Sequence, residues 1–151
     1  MLIRDFVSGD MPQIIKLGRQ MHAESSYNGL DFDDDTVMEL AEQWLSNSDV
    51  YFCRVAENNE KEIFGMYVGL ISSYYFGKDL VANDLLLFVV PDKRGSIAAV
   101  KLIKEFEQWA KDKGAAEVRP ALSTGVKVKE TKQLYEALGY EAVGFTFNKR
   151  L

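Results

Sequence analysis

Residues 83–96, Asn83-Asp-Leu-Leu-Leu-Phe-Val-Val-Pro-Asp-Lys-Arg-Gly-Ser96, run directly into Ile97-Ala-Ala-Val-Lys-Leu-Ile-Lys-Glu-Phe-Glu-Gln-Trp-Ala-Lys-Asp-Lys-Gly114. Residues 85–90 are continuously apolar, the pattern of a strand buried on both faces. Pro91 ends that strand, because proline brings no N–H to a ladder. Arg94, Gly95 and Ser96 then turn the chain into a long helix. Its apolar stripe runs through Ala99, Leu102, Ile103, Phe106, Trp109 and Ala110, at the spacing of one helix face. Gly114 stands where a helix C-terminal glycine belongs. Strand, basic glycine turn and free helix N-terminus together make an anion cradle. Backbone N–H groups and the positive end of the helix dipole converge there on one spot.

Working outward, residues 2–6 read as a first strand. Asp10 caps a helix with Pro12 in its first turn, Gln13 three residues after the cap, and Ile14, Leu17 and Met21 on one face. Residues 22–35 form a polar loop. A second helix spans about residues 36–45, with Val37, Leu40, Ala41 and Trp44 at helical spacing. Residues 50–56 and 63–73 are two strands joined by the turn Glu57-Asn58-Asn59-Glu60. Beyond the central strand and helix come a strand over 117–121, a short helix over 129–138 stopped by Gly139, and a last strand over 140–149. With no repeat or linker composition, helices on a mixed sheet are the expected architecture.

A chain of 151 residues is one domain with room for a sizeable core. Its 47% apolar content argues for a packed globule rather than disorder. No apolar run approaches the roughly 18 residues of a membrane span, and the N-terminus lacks the pattern of a signal peptide. A single cysteine, Cys53, forbids an internal disulfide and suits a reducing cytoplasm. The net charge of −5 argues against a nucleic-acid partner. It leaves room for a local basic site.

The strand, turn and helix resemble the acyl-CoA-binding core of the GNAT superfamily, the acetyl-CoA-dependent N-acetyltransferases. The family's Gln/Arg-x-x-Gly-x-Gly/Ala signature falls on Arg94, Gly95, Ser96, Ile97, Ala98 and Ala99, with Ile97 where the second glycine is usual. Downstream, Leu134, Tyr135, Gly139 and Tyr140 are similar to the family's Leu-Tyr-x-x-x-Gly-Phe/Tyr ending. The resemblance implies a mixed, mostly antiparallel central sheet flanked by about four helices. It implies an acetyl transfer from acetyl-CoA to an amine, by direct attack and without a metal. Lys93 to Ala99 (Lys93, Arg94, Gly95, Ser96, Ile97, Ala98 and Ala99) would wrap the pyrophosphate. The pantetheine arm would pair with Phe88, Val89 and Val90, one N–H near Val89 or Val90 facing the thioester oxygen. Tyr135 would be the general acid, although packing beside Leu134 and Leu138 explains it too. Val128 stands where relatives often carry a cofactor-binding asparagine.

Asp84 opens the central strand where relatives often have an acid working through water; it reads equally as a solvated charge. The resemblance makes the 22–35 loop a wall of the acceptor site, with His22, Glu24 and Tyr27 as candidate contacts. The acceptor would be a small molecule or a protein amine, and a homodimer is left open. Glu24, Asp31, Asp33, Asp34 and Asp35 would draw a cationic amine, or else Asp33 to Asp35 only cap the second helix. A calcium loop is disfavoured because Thr36 occupies the position that needs glycine. Cys53, mid-strand with Tyr51 and Phe52 and with no basic partner in view, reads as a buried inert thiol. The rival to an enzyme is an inactive acyl-CoA-binding or interaction module of the same fold.

Overall fold

The computed structural model describes residues 1–151. Five strands form one sheet in chain order: β1 (Leu2–Asp5), β2 (Tyr51–Glu57), β3 (Ile63–Ser73), β4 (Leu80–Val89) and β5 (Ala115–Arg119). The first four are antiparallel and β5 lies parallel to β4. Four helices, α1 (Met11–Glu24), α2 (Asp34–Ser46), α3 (Ala98–Asp112) and α4 (Val128–Ala137), flank it. This is the mixed, mostly antiparallel architecture expected. No helix is long and apolar enough to cross a membrane.

The alternation of side chains along each strand divides the apolar residues between two layers. Val55, Met66, Val68 and Phe88 bury against Ile14, Leu17, Ala41 and Trp44 of α1 and α2. Phe52, Ala56, Tyr67 and Ala82 bury against Leu102, Ile103, Phe106 and Ala110 of α3 and Tyr135 of α4. The second layer is tightly aromatic. The Phe106 ring lies with its centroid 4.7 Å from Tyr67, 5.2 Å from Phe52 and 5.8 Å from Trp109. Gly69 of β3 makes this possible: a Cβ there would stand 2.3 Å from Cε2 of Phe106.

Three local expectations change. Asp10 does not cap α1; its carboxylate takes two bonds from Arg4 (2.8 and 2.9 Å) and one from the Val7 N–H. Arg4 also binds Glu57, so the stronger charge-assisted pairing outcompetes the cap. Gln13 serves no capping box either, since its Oε1 accepts from the Ile63 N–H at 2.8 Å. That bond joins α1 to the start of β3. Residues 140–149 are not a strand. No backbone bond joins residues 141–151 to any other backbone group, and Phe145 and Phe147 are each 89% exposed. Alternating apolar residues fit a sheet, but no backbone bond holds this segment to the edge strand β5. Smaller shifts put β5 at Ala115–Arg119 rather than 117–121, and extend α1 through Glu24, so that 22–35 is not all loop.

Gly69→Ala should lower stability by about 1–3 kcal/mol, read as an earlier urea midpoint at unchanged slope. The ring it strikes is wedged by three others. An unchanged midpoint would mean that Phe106 can move aside.

Candidate active site

β4 and β5 pair from Leu80 and Ala115 only as far as Asn83 and Arg119. Beyond that point β4 runs on to Val89 with its outer edge free, and the two strands diverge. Pairing with β3 steps from Leu86 opposite Val68 to Asp84 opposite Gly69, leaving Leu85 without a partner. This β-bulge bends and twists β4 at the point of divergence. The apolar run over residues 85–90 is not buried on both faces. Instead Leu85 is 44% exposed, and the run walls an open cavity of about 550 Å³.

The other walls come from the turn before α3, the segment after β5 and one side of α4. Val90 N–H bonds the Phe64 carbonyl at 2.9 Å, so by antiparallel alternation the peptide groups of Leu87 and Val89 point away from β3, toward the cavity. The Val89 carbonyl accepts from Arg94 Nε at 2.9 Å. Of the two residues named from sequence, Val89 therefore carries the outward N–H. At the turn, Gly95 has φ +82°, a conformation that strains any side chain, and the space where its Cβ would project is open. The N–H groups of Gly95, Ile97, Ala99 and Val100 have no backbone partner. They crown the N-terminus of the 15-residue α3, where anions are favoured. Ile97 sits at φ −70°, so the backbone needs no glycine there.

Asp84 and Tyr135 reach the same cavity from opposite walls. Asp84 is half-buried at the divergence, and its Oδ1 accepts from the Ala121 N–H at 2.8 Å. Burial pushes its carboxyl up to about 6, against the opposing pull of that bond. Tyr135 is 7% exposed; burial first, and the Asp84 charge second, raise its hydroxyl above the ordinary phenol value. The buried hydroxyls of Tyr67, Tyr135 and Tyr140 have no protein partner.

The remaining residues named from sequence divide clearly. Phe88, Val89, Lys93, Arg94, Gly95, Ser96 and Ala99 line the cavity, whereas Val90, Ile97 and Ala98 do not. Ala98 is fully buried in the core and Ile97 is 58% exposed. The Arg94 guanidinium turns back from the turn to pair with both oxygens of Glu24 and lies over the Phe88 ring. Glu24 is thereby tied to the cofactor-side turn, its carboxyl held below the usual range by Arg94. His22 is on α1, not in a loop, and packs edge-on against Phe32 at 5.3 Å. His22, Glu24 and Tyr27 all lie outside the cavity wall.

The acidic cluster is mostly structural. Asp33 caps α2 through the Thr36 N–H at 2.8 Å, Asp34 pairs with Arg19, and Glu24 with Arg94. Arginines from outside the segment pair with Glu24 and Asp34, which the local charge count could not reveal. Burial pushes the half-buried Cys53 thiol up to about 12.

Missed from sequence were Ser123, Thr124, Lys127, Glu130 and Thr131, which complete the cavity. A cluster of small polar residues just after a strand, at the carboxyl end of the sheet, was the available signal. Lys127 has φ +45°, a strained conformation for a side chain at the start of α4.

A model of the Acetyltransferase (GNAT) family matches residues 18–140, and the chain belongs to that family. Comparison with curated proteins gives no significant match. Among solved structures it is similar to the aminoglycoside 6'-N-acetyltransferase AAC(6')-IG of Acinetobacter haemolyticus, at 17% identity and TM-score 0.76, covering 100% of this chain and 99% of that one. It is also similar to glucosamine-6-phosphate N-acetyltransferase of Arabidopsis thaliana, at 18% identity and TM-score 0.78, covering 99% and 97%. A third likeness is to AAC(6')-Iy in complex with a bisubstrate analogue of CoA, at 21% identity and TM-score 0.78, covering 99% and 98%. At these identities the likeness concerns the fold.

The Asp84 carboxyl should titrate near 6 in the free protein, followed by carbon-13 NMR with Asp84→Asn for assignment. A value at the ordinary carboxylate range would mean that water screens the site fully.

Proposed function

We propose that this chain is an N-acetyltransferase that moves the acetyl group of acetyl-CoA to a primary amine by direct attack. One observation carries the reading: Asp84, Tyr135 and the outward N–H of Val89 meet at one cavity, whose rim is the unpaired N-terminus of α3. Membership of the family supports it.

The residues present fit acetyl-CoA as substrate. The N–H groups of Gly95, Ile97, Ala99 and Val100, with Lys93 beside them, suit a pyrophosphate. The free edge of β4 at Leu87 and Val89 offers an extended amide chain the pairing that β5 no longer supplies. When bound, acetyl-CoA supplies the activated acetyl carbon. The amine attacks in its neutral form and sheds one proton as the C–N bond forms. Asp84 is ionised at neutral pH yet more basic than an ordinary carboxylate, and takes that proton through water. The Val89 N–H donates to the acyl oxygen as negative charge grows on it. As the C–N bond forms and the C–S bond breaks, Tyr135 gives its proton to the departing thiolate. Asp84 gains one proton and Tyr135 loses one, so solvent exchange restores both. With Glu24 bound to Arg94, Asp34 to Arg19 and Asp33 capping α2, only Asp31 and Asp35 of this segment are left to attract a cationic acceptor. Acetyl-CoA is abundant in the cytoplasm, which is the compartment this reading assumes.

The test is thiol release from acetyl-CoA across a panel of amines. Tyr135→Phe should lower kcat by about ten- to a hundredfold with CoA affinity nearly unchanged, since the acid acts only in the transition state. Binding of CoA without turnover by any amine would mark an inactive acyl-CoA-binding module instead. An unchanged kcat would leave Tyr135 as a packing residue.

A further inference from the structure

Tyr67 of β3 is completely buried, yet its hydroxyl has no hydrogen-bond partner in the protein. A buried donor without an acceptor is destabilising, and phenylalanine would fill the same space, so the hydroxyl needs a reason to be there. Packing holds the ring still. Its centroid lies 4.7 Å from Phe106 and 5.8 Å from Phe52. Tyr67 pairs with Leu87, and Gly69, two residues on, pairs with Asp84. Antiparallel partners share a face, so Tyr67, Leu87 and Asp84 all stand on the side of the sheet that α3 and α4 cover. The bulge at Leu85 is what brings Asp84 and Leu87, three residues apart, to the same side.

Tyr135 reaches this layer from α4, and its hydroxyl has no partner either. The two phenols nonetheless act on each other. Burial first and Asp84 second raise Tyr135, while the Tyr67 hydroxyl, donating to it, pulls it down. Burial first, then Tyr135 and Asp84, raise Tyr67, so Tyr67 stays the donor of the pair. The third free hydroxyl, on Tyr140, faces Glu107 of α3, and burial first and Glu107 second raise it. Access separates the roles of the other two. Tyr135 lines the cavity and Tyr67 does not, so Tyr135 meets the substrate and Tyr67 stands behind it. Proton donation by Tyr135 leaves a phenolate in an aromatic layer, where a charge without a hydrogen-bond donor is strongly disfavoured.

We propose that Tyr67 is a positioning residue for Tyr135, its hydroxyl donating to the Tyr135 oxygen as that oxygen gives up its proton. The O–H bond of Tyr135 breaks and the S–H bond of the departing thiol forms. Tyr67 keeps its own proton throughout and supports the phenolate until solvent restores Tyr135. The inference rests on the transferase reading.

Thiol release from acetyl-CoA with the most reactive amine of the panel, measured for Tyr67→Phe, Tyr135→Phe and the double variant, tests it. Tyr67→Phe should lower kcat by roughly three- to tenfold, less than Tyr135→Phe does, with KM for both substrates little changed. Its thermal midpoint should not fall, since the hydroxyl it loses bonds nothing in the resting fold. The double variant should match Tyr135→Phe alone, because no phenolate then remains to support. An unchanged kcat in Tyr67→Phe beside an impaired Tyr135→Phe overturns the proposal and leaves the transferase reading standing. A loss of equal size in both backgrounds, or a lowered thermal midpoint, would assign the hydroxyl to packing and overturn it too. If the wild type releases no thiol with any amine, the transferase reading fails and takes this inference with it.

Discussion

The divergence of β4 from β5 is the constraint on which the rest of this protein depends. Parallel pairing stops at Asn83 and Arg119, and immediately afterwards β4 carries its bulge at Leu85. Asp84 bonds the Ala121 N–H across the fork, fixing the point where the two strands part. A sheet edge in mid-protein is costly unless something satisfies its amides. Here that cost is turned into a site. The free edge faces a cavity whose opposite walls, Tyr135 and the segment after β5, are held by the packing of α4 on the aromatic layer.

A second constraint acts on the turn before α3. Its N–H groups are useful only if the turn is rigid, and Arg94 makes it so. That one side chain bonds the last strand carbonyl, covers Phe88 and grips Glu24 at the end of α1. In this structure that guanidinium is thus committed to Val89 and Glu24. The proposed anion site then rests on the backbone amides and Lys93. Backbone donors lose little freedom when a ligand binds, which makes them good preorganised partners.

Much of the fold was legible because its signals are local. The stripe from Ala99 to Ala110 fixed α3, the alternation on either side of Asn58 gave the β2–β3 hairpin, and Pro91 and Gly95 marked the turn. The family-specific pairs Arg94–Ala99 and Leu134–Tyr140 then set the order of elements. What was not legible depends on distance along the chain. Arg4 reaches Asp10 and Glu57 together, Arg94 reaches Glu24, and Arg19 reaches Asp34, so charges that looked free in sequence are committed in space. Likewise the final alternation through Phe145 and Phe147 suggests a strand that the structure does not form, because alternation marks a pattern of side chains and not the backbone partner a strand needs.

The free edge of β4 and the N-terminus of α3 are proposed as one acyl-CoA site, and amide chemical shifts followed by NMR while CoA is added test this. The largest saturable changes should fall on Leu87, Val89, Gly95, Ile97, Ala99 and Val100, with Arg94 still bound to Glu24. Binding that shifts other regions while leaving these amides unmoved, or no binding at millimolar CoA, would contradict it.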